Sequence, residues 1–462
     1  MKISSYRGLS RAACAAGIVA FNAAAVAAMP AQAADLLEVY REARNYDAAY
    51  ASARAALAAG REKLPQGRAL VLPTVNATGN STISDSRVNQ QTTTGQNVFD
   101  RDFRTNAFTV SLTQPLFRLQ NVLQYEQSGF QVAQAEAQFG QAAQDLILRV
   151  SQAYFDVLAA DNTLAFIQAQ KTAISEQLAM AKRNFEVGTA TITDTNEAQA
   201  RFDLSLSQEI AAQNDLEIRK RTLQQIIGRI PDSLAALRSD FALSAPSPNR
   251  MEDWVEAAQK QSYPVRLQEA GAEIAELEVE RNRAGHYPTL DLVATYGNNF
   301  NTGSLQTSQG SDTRSATLGV QLALPLYSGG AVNSRIRESL ANRDRTRSDL
   351  ENSRRQAALS ARQSFLGVTN GMAQVRALEQ AVTSSETALA SNRLGYEVGV
   401  RINIDVLNAQ QQLFSTKRDL ARARYDTLLN GLRLKAAAGT LSEEDVVAVN
   451  QLLAEEPSNA GK

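Results

Sequence analysis

Apolar positions recur at steps of three and four along most of the chain, and in four short stretches the period drops to two. The longest helical pattern runs from about Phe117 to Val187, with no proline and with glycine only at Gly129 and Gly140. Its apolar seam begins Val132, Ala135, Phe139, Ala142, Leu146 and Val150 and continues through Ala153, Val157, Leu164, Ile174 and Leu178 to Phe185. Lys171 fills the one clearly polar slot. The steps average about 3.5 residues, with one stutter at Leu146–Val150, which is the period of a coiled coil. At about 1.5 Å per residue such a helix reaches on the order of 105 Å. Gly188 interrupts the pattern, and a return helix is predicted from about Asp194 to Gly228. The second half repeats the plan: a helix to Val398, a break at Gly399, and a return helix from about Asp405 to Leu434.

The period-2 stretches flank Pro73, Pro115, Pro288 and Pro325. From Ser315 to Pro325, Ala316, Leu318, Val320, Leu322 and Leu324 alternate with small or polar residues. From Thr289 to Phe300, Leu290, Leu292, Ala294 and Tyr296 do the same. Phe108, Val110 and Leu112 alternate with threonine and serine, and Thr74–Ser84 carries a weaker version. Runs of about ten residues match a tilted membrane-spanning strand. A hairpin on a soluble core would show the same alternation. The strand length and the polar segments Asp85–Arg104 and Asn301–Arg314, predicted as long loops, favour a membrane barrel. Four strands cannot close a barrel, and open edges are not tolerated in lipid. Other copies of the chain must therefore complete it: two copies would give eight strands and three would give twelve.

The chain also says one thing twice. The run FEVGTATITDTNEAQ opened by Phe185 aligns without a gap with YEVGVRINIDVLNAQ opened by Tyr396, about 211 residues later. Leu72-Pro73-Thr74 returns as Tyr287-Pro288-Thr289, and Gln114-Pro115-Leu116-Phe117 as Leu324-Pro325-Leu326-Tyr327. A period this long marks one large duplicated unit. The predicted organisation is a signal peptide over 1–33, a first repeat over 34–243, a second over 244–446 and a C-terminal tail over 447–462. The hairpins fall at about 72–115 and 288–325, and the turns at about 185–195 and 396–406.

The leader reading rests on Lys2, Arg7 and Arg11, the apolar stretch that follows, and the Ala31-Gln32-Ala33 cleavage site. Cys14, the single cysteine, lies inside the leader without a lipid-acceptor context. The mature chain is thus expected to lack disulfides, thiol nucleophiles and thiolate metal sites, and the single histidine, His286, rules out a two-histidine zinc motif. There are 47 basic and 48 acidic residues, and the leader holds three of the basic ones and no acid. The mature chain is then near −4, which argues against nucleic acid as a partner. No later stretch reaches the roughly 18 apolar residues of a membrane-spanning helix. No phosphate-binding glycine loop, nucleophile elbow or metal cluster is present, so an enzyme is not expected and no cofactor is implied. The seven arginines and four acids between Arg335 and Arg355 read as a solvated helix face, and Trp254 and His286 as packing residues.

In order, spacing and duplication the chain resembles the TolC family of outer-membrane efflux channels. The resemblance rests on the two Y/F-E-V-G turns, the I-x-D segments after them, and the tail AGTLSEEDVVAVN from Ala438. It implies a mainly α fold with a β-barrel part: a duplicated long-helix α-barrel continuous with a twelve-stranded outer-membrane barrel formed by a homotrimer. Arg229–Trp254 and the C-terminal segment match the family's equatorial belt. Localisation is the outer membrane with extension into the periplasm. The implied partners are the lipid bilayer, a periplasmic adaptor protein, and an inner-membrane ABC or RND transporter. The cargo would be proteins, small toxic molecules or both.

The resemblance also places the gate at the repeated turns. Tyr396 would hydrogen-bond Asp194 and Arg401 would contact Thr193, each a weak link repeated three times. Asp405 and Asn408 match the constriction positions, and three residues apart they share a helix face. The best-known members have a second acidic ring where this chain has Asn408. A single carboxylate ring at Asp405 implies a cation preference weaker than two rings would give. Asp194 and Asp405 equally suit helix capping, and Gly188 and Gly399 are turn residues. A non-conducting trimeric coiled-coil adhesin shares the leader, heptads and strands, but such proteins usually carry a single terminal barrel segment.

Overall fold

The computed structural model describes residues 33–238 and 241–453. The leader, with Cys14, and the chain after Leu453 lie outside the described residues. Three helices, α1 (Leu36–Tyr46), α2 (Ala48–Arg61) and α3 (Lys63–Ala69), lead into a hairpin of β1 (Thr74–Thr92) and β2 (Gly95–Phe117). The 68-residue α4 (Leu119–Glu186) and its return helix α5 (Ile192–Ile227) follow. The plan then repeats with α6 (Met251–Gln261), α7 (Tyr263–Arg283), a 3-10 turn at Ala284–His286, β3 (Thr289–Asn301) and β4 (Ser311–Ala323). The 67-residue α8 (Ala331–Glu397) and its return helix α9 (Asn403–Ala437) complete that copy, and α10 (Glu443–Asn450) ends the fold. No described helix is long and apolar enough to cross a membrane.

The four strands form one antiparallel sheet in the order β1-β2-β3-β4. Thr105–Phe117 of β2 pairs with β3, with a register shift between Pro115 and Phe117, where proline removes a ladder donor. On β4 the apolar stripe is left bare: Leu318, Val320 and Leu322 are 74%, 61% and 67% exposed. This is the face an acyl chain would cover.

One predicted loop is a strand instead. Asp85–Arg104 continues β1 and β2 as a two-stranded ribbon up to the pair Thr92 and Gly95. Threonine, valine and phenylalanine favour an extended chain even where the overall composition is polar. Arg87 and Asp100 lie directly opposite and are joined at 2.8 and 3.3 Å. Between β3 and β4 the loop is 302–310, shorter than the predicted Asn301–Arg314, because Ser311–Arg314 pair with β3 as the start of β4. The tail also begins later than predicted. α10 runs to Asn450, Val446, Val449 and Leu453 are buried, and Leu453 bridges to Leu237.

The main core sits at one level of the long helices. Leu146, Val150 and Tyr154 of α4 pack with Leu36 and Val39 of α1, Leu223 of α5, Leu429 and Leu432 of α9, and Val446 of α10. Ala34 pairs with the 233–235 segment by a parallel bridge, and the buried Tyr154 hydroxyl donates to Ala235 O at 2.7 Å. Burial pushes that phenol far above its usual pKa. Lys171, the polar residue of the seam, reaches Glu209 of α5 at 2.5 Å.

Asp47 links three parts of this level. It caps α2 through Tyr50 N–H at 2.7 Å and accepts both guanidinium nitrogens of Arg149 from α4, at 2.9 and 3.1 Å. The Arg149 bonds hold the Asp47 carboxyl below its ordinary pKa. A depressed folded value means that this contribution is complete above the unfolded pKa of about 4 and is lost as pH falls through the lower folded value. Asp47→Asn should lower unfolding stability by about 1–3 kcal/mol at pH 7. The difference from wild type should shrink below about pH 4, which thermal melts of the detergent-solubilised protein across that range would check.

Candidate functional site

The two repeated turns lie at the far ends of the long helices from the sheet, and their backbones match. Gly188 and Gly399 adopt φ of 74° and 80°, the left-handed region that favours glycine. In the first turn Thr189 N–H and Ala190 N–H donate to Asn184 O at 2.8 and 3.2 Å. In the second, Val400 N–H and Arg401 N–H donate to Gly395 O at 2.9 and 3.0 Å. Side chains then divide the copies. At Gly395 an added Cβ would come within 2.7 Å of Arg401 Cγ, so glycine is what lets that side chain fold back over the turn.

The two aspartates differ because their caps differ. In the first copy Thr191 and Asp194 form a capping box. Asp194 N–H donates to Thr191 Oγ1 at 3.3 Å, and Asp194 Oδ2 accepts from Thr191 N–H at 3.0 Å. The corresponding cap of α9 is Ile402, which offers no oxygen. Asp405 is therefore not tied into a box, and its carboxylate lies 3.7 Å from Arg401. Asp405 and Asn408 both line a groove of about 470 Å³ on the α8–α9 coil, together with Ser385, Ala388 and Asn392, so the two do share a face.

The links expected between coils take different partners within one chain. The Tyr396 hydroxyl accepts from Asn184 Nδ2 at 3.2 Å rather than donating to Asp194. Arg401 turns to Asp405 rather than Thr193, which is exposed on the first turn of α5. Residues that the sequence did not single out join the coils instead. Asn403, buried at the start of α9, accepts from Gln177 of α4 and donates to the backbone carbonyl of Asp194 at 3.4 Å. Arg201 of α5 donates to Gln411 and Asn408 of α9. The visible signal for Arg201 is its position three residues after Ala198, a buried seam residue, on the edge that faces the other coil. Below these contacts Ile174, Leu178, Ala181, Ala198 and Leu407 form a small apolar cluster shared by α4, α5 and α9.

The tip thus has two helical hairpins, joined by amide and guanidinium hydrogen bonds over a small core. It has no metal-binding group of histidine, cysteine or carboxylate among the described residues.

Comparison with known proteins agrees in sequence and in shape. The family model for outer membrane efflux proteins matches residues 39–229 and 254–440. The proteases secretion protein PrtF of Dickeya chrysanthemi is 34% identical over 421 residues, covering 90% of each chain. The outer membrane protein TolC of Escherichia coli is 32% identical over 443 residues, covering 91% of this chain and 85% of its own. Among solved structures, the outer membrane protein VceC of Vibrio cholerae superposes with a TM-score of 0.74 at 19% identity, covering 87% of this chain and 96% of that one. With both repeats matched, the chain belongs to the outer membrane efflux protein family.

Proposed function

We propose that three copies of the chain form an outer-membrane channel whose periplasmic end is closed by the repeated turns, and that its principal cargo is secreted protein. One observation carries the channel reading: an open four-stranded sheet runs directly into helices of 68 and 67 residues that end on paired turns. The likeness to a proteases secretion protein over 90% of both chains supports the choice of cargo. A channel of this kind has no energy source of its own. It would work with a periplasmic adaptor that docks on the tip and with an inner-membrane transporter of the ABC type. An RND-type partner exporting small toxic molecules is the second reading, favoured by the family's description as efflux proteins.

Within this reading the predicted organisation also has roles. Residues 1–33 are the cleaved leader, the repeats over 34–243 and 244–446 each contribute one hairpin and one coil, and Gly188 and Gly399 shape the turns. Asp405 and Asn408 form the constriction. Thr193, Asp194, Tyr396 and Arg401 remain available to neighbouring subunits, while Asn184–Tyr396 and Gln177–Asn403 hold the two coils of one subunit together. Each such link is worth about 1–3 kcal/mol, so a few can keep a gate shut yet yield to a docked partner.

Deleting the gene should remove a subset of proteins from the culture medium with little change in drug sensitivity. Unchanged secretion with marked hypersensitivity would select the efflux reading. In planar lipid bilayers the wild-type trimer should conduct weakly; no conductance at all would favour the adhesin. Tyr396→Phe, which removes the acceptor of a single amide, should raise resting conductance only slightly. Asn403→Ala, which breaks a buried two-sided contact, should raise it several-fold. Asp405→Ala should shift the reversal potential away from cation preference, and an unaltered potential would remove Asp405 from the pore.

A further inference from the structure

Arg201 does something no other α5 side chain does among the described residues: it hydrogen-bonds α9. Its guanidinium crosses from the return helix of the first coil to that of the second. Nη1 donates to Gln411 Oε1 at 2.6 Å and Nη2 to Asn408 Oδ1 at 3.1 Å. The two acceptors are three residues apart and so stand one above the other on a single helix face. Asp405 is the next residue on that stripe, one helical turn closer to the tip. The other links between side chains at this end, Asn184 to Tyr396 and Gln177 to Asn403, start from α4, and Asn403 reaches only a backbone carbonyl of α5.

We infer that Arg201 is a two-pronged clamp between the coils at the level of the constriction, and that its charge offsets the carboxylate ring of Asp405. This rests on the reading of the tip as a gate. Both halves follow from the chemistry of the fork. A planar guanidinium holds two acceptors in fixed geometry, so separating the coils must break both bonds together. Asn408 is a neutral acceptor. A carboxylate there would turn the contact into a charge-assisted ion pair that is harder to release, so asparagine keeps the clamp openable. In a trimer three guanidinium groups would stand about one helical turn from three carboxylates. Arg401 already lies 3.7 Å from Asp405, so a second guanidinium one turn away further weakens the cation preference expected from Asp405 alone.

The test uses full-length trimers in planar lipid bilayers under a potassium chloride gradient. Arg201→Ala should raise resting conductance several-fold and move the reversal potential further toward cation selectivity. Arg201→Lys keeps the charge but not the fork, so it should raise conductance and leave the reversal potential at its wild-type value. It also serves where the alanine variant does not assemble. Asn408→Asp should lower resting conductance when Arg201 is present and should not when Arg201 is alanine, a non-additivity expected only of a direct contact. Wild-type conductance or a wild-type reversal potential in Arg201→Ala overturns the proposal. If wild type conducts and Asn403→Ala opens it while Arg201→Ala changes nothing, the clamp fails and the channel reading stands. If no variant conducts, the channel reading itself fails.

Discussion

The free edges of β1 and β4 constrain everything else in the molecule. Each has a hydrogen-bonded neighbour on one side only. In hydrocarbon an unpaired N–H or C=O costs several kcal/mol, and a strand leaves many of them. The sheet is therefore a fragment until the edge of one chain meets the edge of the next. The helices inherit this arrangement. β2 ends at Phe117 and α4 begins at Leu119; β4 ends at Ala323 and α8 begins at Ala331. With so little chain between strand and helix, the symmetry that closes the strands also sets the helices side by side around the same axis. A barrel above and a tunnel below are two consequences of one requirement for backbone pairing.

Stability is then distributed unevenly along the axis. Midway down, α1, α4, α5, α9 and α10 bring leucine, valine, tyrosine and phenylalanine into one large cluster, reinforced by Asp47 and Arg149. At the tip the core shrinks to small groups such as Ile174, Leu178, Ala181, Ala198 and Leu407. Buried apolar area scales with stabilisation at about 25 cal/mol per Å², so the tip is held with far less than the belt. What it has in addition is polar: Asn184, Gln177, Asn403 and Arg201 reach across between coils. Regions with few apolar contacts open locally at lower free energy than the rest of a fold. A gate needs that combination of a weak end on a firm middle.

Much of this was legible in the residue pattern. The seam of α4 announced a coil because its apolar steps hold near 3.5 over many turns, and Leu146, Val150, Val157 and Leu178 are all buried as that period requires. The alternation around Pro325 announced a strand for the same kind of reason. The Asp85–Arg104 ribbon was hidden because its stability comes from cross-strand pairing. Arg87 and Asp100 mean nothing as a pair until the register sets them opposite. The contacts at the tip were half visible. The duplication located the turns, but the bonds between coils join residues over 200 positions apart, and no local period encodes which amide meets which hydroxyl. Tyr154 escaped notice because its hydroxyl's partners, the backbone carbonyls of Ala34 and Ala235, come from belt elements that only the fold brings to it.

Duplication explains the shared backbone of the turns, and three substitutions explain why the copies no longer do the same thing. Thr191 became, or came from, Ile402, and that one change decides whether the following aspartate is tied into a capping box. Asn184 corresponds to Gly395. In the first copy the side chain reaches across to Tyr396, and in the second its absence makes room for Arg401. Phe185 corresponds to Tyr396, so only the second copy has a hydroxyl to receive that amide. Two of these differences, Asn184 for glycine and Tyr396 for phenylalanine, put a donor on one turn and its acceptor on the other. The two turns of a chain are thus better matched to each other than either would be to its own copy. A mating surface of this kind favours alternation of first and second coils around the axis, because two identical turns set side by side would lack the donor and acceptor pairs that hold unlike ones together.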